Sequence, residues 1–127
     1  MSHLQTEENI KKFAHMDNCP IRNVVSRFSG KWALLILCLL SKNGKTRFST
    51  IGKALPDISP KVLSTTLKGL EADGLVNRKI YPEIPPRVEY SLSATGLSLM
   101  PIVGSLISWA SENYDNIVSA RANKKQL

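Results

Sequence analysis

Lys61, Ser64, Thr65 and Lys68 stand at helical spacing in a 127-residue chain and are its most chemically suggestive set. Residues three and four apart share one helical face, so two ammonium groups would flank two hydroxyls. Hydroxyls can reach base edges while cations hold phosphates, a combination suited to duplex DNA. Thr65 and Lys68 would equally pass for a nucleophile and its activator, but little else supports catalysis. The two histidines, His3 and His15, lie near the N-terminus, and the sequence has no Gly-rich phosphate loop, no H-E-x-x-H and no acidic pair beside a histidine. The chain therefore reads as a non-enzyme with no cofactor, and His15 with Cys19 is too small a set for a metal site. Thiol chemistry is the other candidate. Cys19 precedes Pro20 at an expected helix N-terminus with Arg22 nearby, which favours a thiolate, whereas burial would oppose it. Cys38 lies in the apolar run Trp32 to Leu40 and reads as core.

Charge supports a polyanionic partner. Seventeen Lys and Arg face ten Asp and Glu, a net +7. From Arg22 to Lys68 nine cations stand against Asp57 alone, so the excess is confined to one stretch. Apolar residues make up 43% and charged residues 21%, which excludes a disordered or collagenous chain. Two cysteines without a C-x-x-C fit a reducing cytoplasm. The longest unbroken apolar run has nine residues, short of a membrane span, so no membrane partner is expected.

These groups need elements to hold them. Residues 3–16 read as a peripheral helix with Ile10 and Phe13 as its apolar contacts. Pro20 opens a short helix with Ile21, Val24, Val25 and Phe28 on one buried face, ended by Gly30. Lys31 to Ser41, apolar nearly all round, should be the central helix, followed by an Asn43-Gly44 turn. Ser49 is the expected N-cap of a short helix that Pro56 stops. Ser59 and Pro60 then form an N-cap and first helical position, Leu63, Leu67 and Leu70 face inward, and Gly74 ends the helix. That pair is a helix-turn-helix over about 49–73. Leu75 to Tyr81 and Arg87 to Leu92 read as strands of a wing over about 75–92, with a stiff tip at Pro82 to Pro86. From Ser93 a helix runs to about Ala122, with Pro101 as kink or break. The order predicts one mainly α domain with a small β-hairpin, a winged helix.

The C-terminal helix carries two apolar stripes: Met100, Val103, Ile107, Ala110, Tyr114 and Ile117, and beside them Leu99, Ile102, Leu106 and Trp109. One stripe can pack on its own domain, and the other predicts a homodimer. The expected interface comprises Ile10, Phe13, Val103, Ile107, Ala110 and Tyr114, on helices of about 3–16 and 94–122. The expected DNA contacts are Lys31, Arg47, Ser59, Lys61, Ser64, Thr65, Lys68 and Arg87. Ser59 marks the positive end of a helix dipole, and Arg87 has an alternative in pairing with Glu83 or Glu89.

Several linked motifs stand in one order: Cys19-Pro20-Ile21, Gly30-Lys31-Trp32, Arg47-Phe48-Ser49, Leu55-Pro56-Asp57-Ile58-Ser59-Pro60-Lys61, Leu70-Glu71-Ala72-Asp73-Gly74-Leu75 and Tyr81-Pro82-Glu83-Ile84-Pro85-Pro86-Arg87-Val88-Glu89-Tyr90. Over about residues 19–110 the chain resembles the HxlR-type transcriptional regulators, relatives of the MarR type. The resemblance implies a bacterial winged-helix homodimer on a palindromic operator, with terminal helices forming the dimer and the helix after Ile58-Ser59-Pro60-Lys61 entering the major groove. It also implies a role for Cys19, because family members that sense oxidants or electrophiles use a cysteine at this Cys-Pro position while others merely possess it. The effector, the operator and the direction of regulation are left unassigned. A winged helix used as a protein-interaction or RNA-binding module is the alternative.

Overall fold

A helix that is apolar on most sides is stable only when other elements surround it, and Lys31–Asn43 (α2) is placed that way. In the computed structural model, which describes residues 19–125, Ile36, Leu37 and Leu40 of α2 are fully buried. Against them pack Ile51, Leu63, Leu67, Leu70, Val76 and Tyr90, with Phe28, Leu99 and Met100 partly buried at the edge. Before α2 come a π-helical turn, Ile21–Val25, and the short α1, Ser26–Phe28. Gly44 ends α2 with its N–H donating to Leu40 O at a φ of +70°, a conformation that favours glycine.

Thr46–Arg47 (β1) leads into Phe48–Ala54 (α3) and then Pro60–Ala72 (α4). Val76–Tyr81 (β2) and Arg87–Leu92 (β3) form the wing, and Ala94–Glu112 (α5) and Tyr114–Lys125 (α6) complete the chain. The sheet is antiparallel in the order β1-β3-β2. Val76 pairs with Leu92 at one end of the hairpin and Tyr81 with Arg87 at the other, while Thr46 and Arg47 pair with Tyr90 and Glu89. The architecture is the expected winged helix, with a third strand in place of a bare hairpin. Two residues are too short to show an alternating pattern, so β1 had no periodic signal.

Four expectations change. The helix after β1 starts at Phe48 with Arg47 as its N-cap, so Ser49 lies inside it. Ile21, Val24 and Val25 form an exposed face rather than a buried one, and only Phe28 of that set reaches the core. Periodicity had located an apolar face correctly, but no described element covers it. Gly30 is the N-cap of α2, two residues past the end of α1. Finally, α5 continues through Pro101, and the break falls at Asn113. The carbonyl that Pro101 leaves without an N–H belongs to Leu97, an exposed residue where water can satisfy it. At Asn113 both the backbone N–H and side-chain Nδ2 donate to Trp109 O, closing the helix locally. The helix expected at 3–16, with Ile10 and Phe13, lies outside the described residues.

Gly96 is the tightest point of the fold. A Cβ there would stand 2.2 Å from Leu75 O, so α5 packs backbone-first on the turn after α4. Gly96→Ala is therefore expected to cost about 1–3 kcal/mol in urea unfolding. Gly104→Ala, where an added Cβ meets nothing within 4 Å, should be neutral or stabilising. Equal effects of the two substitutions would refute the close approach.

Candidate nucleic-acid interface

Local chemistry positions α4. Ser59 Oγ accepts the Val62 N–H at 3.1 Å, Pro60 takes the first helical position, and Leu63, Leu67 and Leu70 turn into the core. The opposite face exposes Lys61, Val62, Thr65, Lys68 and Gly69. Ser64 is half-buried at one margin, so of the four expected side chains three stand in the open and the fourth flanks them. Val62 and Gly69 were missed, although each lies three or four residues from Thr65 and must share its face. The Ser59 oxygen accepts the capping bond, which leaves the hydroxyl of this exposed residue its donor for a second contact.

Hydroxyl orientation narrows what this face can read. Thr65 donates to Lys61 O at 2.9 Å and Thr66 to Val62 O at 2.7 Å. With its proton turned inward, Thr65 presents lone pairs and a methyl outward, suited to an exocyclic amino group or a thymine methyl.

Charge on α4 is segregated along its length. Its acids stand at the far end, where Arg78 Nε pairs with Glu71 Oε2 at 3.1 Å and Arg27 Nη1 with Asp73 Oδ1 at 3.0 Å. These pairs are solvent-exposed and worth only about 0–1 kcal/mol each in stability. Their effect is on the field: Glu71 and Asp73 are screened, and the first turns of α4 carry cations alone.

The remaining candidates separate. Arg47 is exposed at the start of α3 and, with Phe48 and Ser49, lines a groove of about 400 Å³ closed by Glu83 to Val88 of the wing. Lys31 begins α2, its ammonium 4.4 Å from the centre of the Trp32 ring. Arg87 is used inside the wing. Its Nη2 lies 3.2 Å from Glu83 Oε1, its Nε 3.6 Å from Glu89 Oε1, and its guanidinium 4.0 Å from the Tyr81 ring centre. Two carboxylates and an aromatic face thus hold the side chain, and the pairing alternative accounts for it better than a DNA contact.

Cys19 is buried, at 3% exposure, while Cys38 is partly exposed. Desolvation raises the Cys38 pKa, which disfavours its thiolate at neutral pH. On α5, Val103 is only 2% exposed and packs within its own chain, so it is not available to a second copy. Ile107, Ala110 and Tyr114 are open, and so are Ile102, Leu106 and Trp109 of the other stripe. One stripe was expected to be covered by the domain, yet beyond Val103 neither is. By length and composition α5 is also apolar enough to cross a membrane, although no unbroken apolar run marks it in the sequence.

A model of the HxlR-like helix-turn-helix family matches residues 27–118. A helix-turn-helix-type transcriptional regulator of Methanothermobacter thermautotrophicus is 47% identical over 91 residues, 72% of this chain and 69% of the relative. The redox regulator HypR in its reduced form superposes with a TM-score of 0.74 at 36% identity, covering 79% of this chain and 98% of that one. Diamide-treated YodB from B. subtilis superposes with a TM-score of 0.65 at 33% identity, covering 77% and 96%.

Because Arg87 is held by three groups and Arg47 by none of them, the two should respond differently to truncation. Arg87→Ala is expected to lower unfolding stability by about 1–2 kcal/mol, and Arg47→Ala by less than about 0.5 kcal/mol. Matching losses in urea melts would return Arg87 to the free cations.

Proposed function

The chain belongs to the HxlR-like helix-turn-helix family of transcriptional regulators, and on that premise we propose that it binds a palindromic operator in duplex DNA as a homodimer. The observation that carries the reading is the outward face of α4, where Lys61, Thr65 and Lys68 stand clear of the acids pinned at its far end. Thr65 supplies base contact, Lys61 and Lys68 supply phosphate contact, and Ser64 and Arg47 extend the footprint. Dimerisation is supported by the apolar surface that α5 and α6 leave open from Ile102 to Val118. A second copy is a suitable cover because a two-fold protein places two recognition helices one DNA turn, about 34–36 Å, apart or a multiple of it. Such a regulator works in the cytoplasm and needs no cofactor.

Lys68→Ala is expected to weaken binding to all duplexes alike and reduce the salt slope by about 0.9 for one lost phosphate. Thr65→Ala should instead relax base preference by about 1–3 kcal/mol at one position of each half-site. Fluorescence anisotropy across a salt series, on protein whose native mass is that of a dimer, checks both. A preference for single-stranded RNA, or identical behaviour of both variants with wild type, would favour the interaction-module alternative.

A thiol response through Cys19 is the finer part of the reading. It is supported by the likeness to HypR and diamide-treated YodB and by the position of Cys19 immediately before the Ile21–Val25 turn. A group added to the thiol of a residue with 3% exposure would have to displace its surroundings. Diamide should therefore lower operator affinity of wild type and of Cys38→Ser but leave Cys19→Ser unaffected, with mass spectrometry locating the adduct. Loss of binding by Cys19→Ser under diamide would make Cys19 purely structural.

A further inference from the structure

The end of α4 and the start of α5 are far apart in sequence but joined directly. Gly74, at a φ of +76°, donates its N–H to Glu71 O, and Leu75 N–H donates to Leu70 O, each at 3.0 Å, the paired bonds of a Schellman turn. Ser93, nineteen residues after Gly74, closes on that turn. Its hydroxyl donates to Gly74 O at 2.6 Å and its backbone N–H to Leu75 O at 3.0 Å. The same hydroxyl oxygen accepts the Gly96 N–H at 3.0 Å, capping α5. With Gly96 pressed on Leu75 O, no side chain separates the two helices at this point.

Capping a helix requires only an acceptor. A hydroxyl has a donor as well, and here that donor is spent on the carbonyl of the preceding helix's terminal turn. We infer that the Ser93 hydroxyl straps α4 to α5 and so sets the half-site spacing that the protein selects on DNA. The inference rests on the dimeric, operator-binding reading above. Under that reading α5 carries the surface joining two copies and α4 the surface meeting the groove, so the angle between them fixes the distance between two recognition helices. The covalent route from one to the other runs out and back along β2 and β3, a two-stranded ribbon of the kind that twists readily. The Val76–Leu92 pair closes that ribbon at its base, and the Ser93 hydroxyl adds the contact that reaches past it to the terminal turn of α4, which makes Ser93 a positioning residue that touches no DNA.

Ser93→Asp separates the two roles. A carboxylate still accepts the Gly96 N–H and still caps α5, but it cannot donate to Gly74 O and sets one oxygen against another. The probes are a duplex selected from a randomised library by full-length wild-type protein and the same duplex with one base pair inserted between its half-sites. One added base pair shifts a half-site by about 3.4 Å and rotates it by about 34°. Wild type and Ser93→Thr, which keeps the donor, are expected to bind the inserted duplex at least about tenfold more weakly. For Ser93→Asp the ratio should fall below about threefold while dimer mass and melting temperature are retained. Undiminished discrimination by folded Ser93→Asp overturns the strap. Should that variant not fold, Ser93→Gly decides, because glycine is tolerated at an N-cap but has no hydroxyl to donate: a ratio below about threefold supports the strap, and an undiminished ratio overturns it. If wild type selects no paired half-sites, the dimeric reading itself fails, and that outcome is distinct because it arises before any variant is made.

Discussion

The inward seating of Leu63, Leu67 and Leu70 governs what α4 can offer to the outside. A helix turns about 100° per residue, so three leucines locked against Ile36, Leu37 and Ile51 leave one rotational setting. A slip of one residue would carry Lys61 or Thr65 toward the core, where an ammonium or an unpaired hydroxyl is costly. The outward face is thus specified by the inward one, and the Ser59 cap and Gly74 turn fix where the helix begins and ends. The outward surface is a by-product of packing in this sense: its residues are free to be cationic and small because others do the anchoring.

What was legible in the sequence was what local chemistry decides. Ser59-Pro60, Gly74 and Ser93 signal helix boundaries through groups within four residues, and each boundary stands where those groups put it. The family motifs and the winged-helix order were readable for the same reason. What was not legible required knowing what lies across space. The Ile21, Val24, Val25 and Phe28 periodicity identifies an apolar face but not its cover. Thr46–Arg47 pairs because β3 passes beside it, not because two residues have strand character. Arg87 and Val103 were assigned outward roles that Glu83, Glu89 and Tyr81 in one case, and the chain's own packing in the other, take up.

The distribution of apolar surface divides the molecule into two mechanical parts. From α2 to β3 side chains interlock on a shared core, whereas α5 beyond Val103 and all of α6 stand with apolar residues open. Single exposed apolar residues need no explanation, but a continuous helical stripe of them does. The close packing of Gly96 on Leu75 places the boundary between these parts within the first three turns of α5, and the helix-breaking Asn113 lies well beyond it.

The charges of α4 also run against its own dipole. Its first turn holds no acid and its last turn no base. Instead Lys61 sits at the positive end, and Glu71 and Asp73 lie at the negative end. Arg78 and Arg27 offset the two acids, which leaves Lys61 as the placement that disfavours the helix, by about 0.3–1 kcal/mol at low salt. The fold therefore carries an electrostatic debt that a polyanion at the N-terminal end discharges. An anion bound at that end would raise the stability of the helix as well as occupy it.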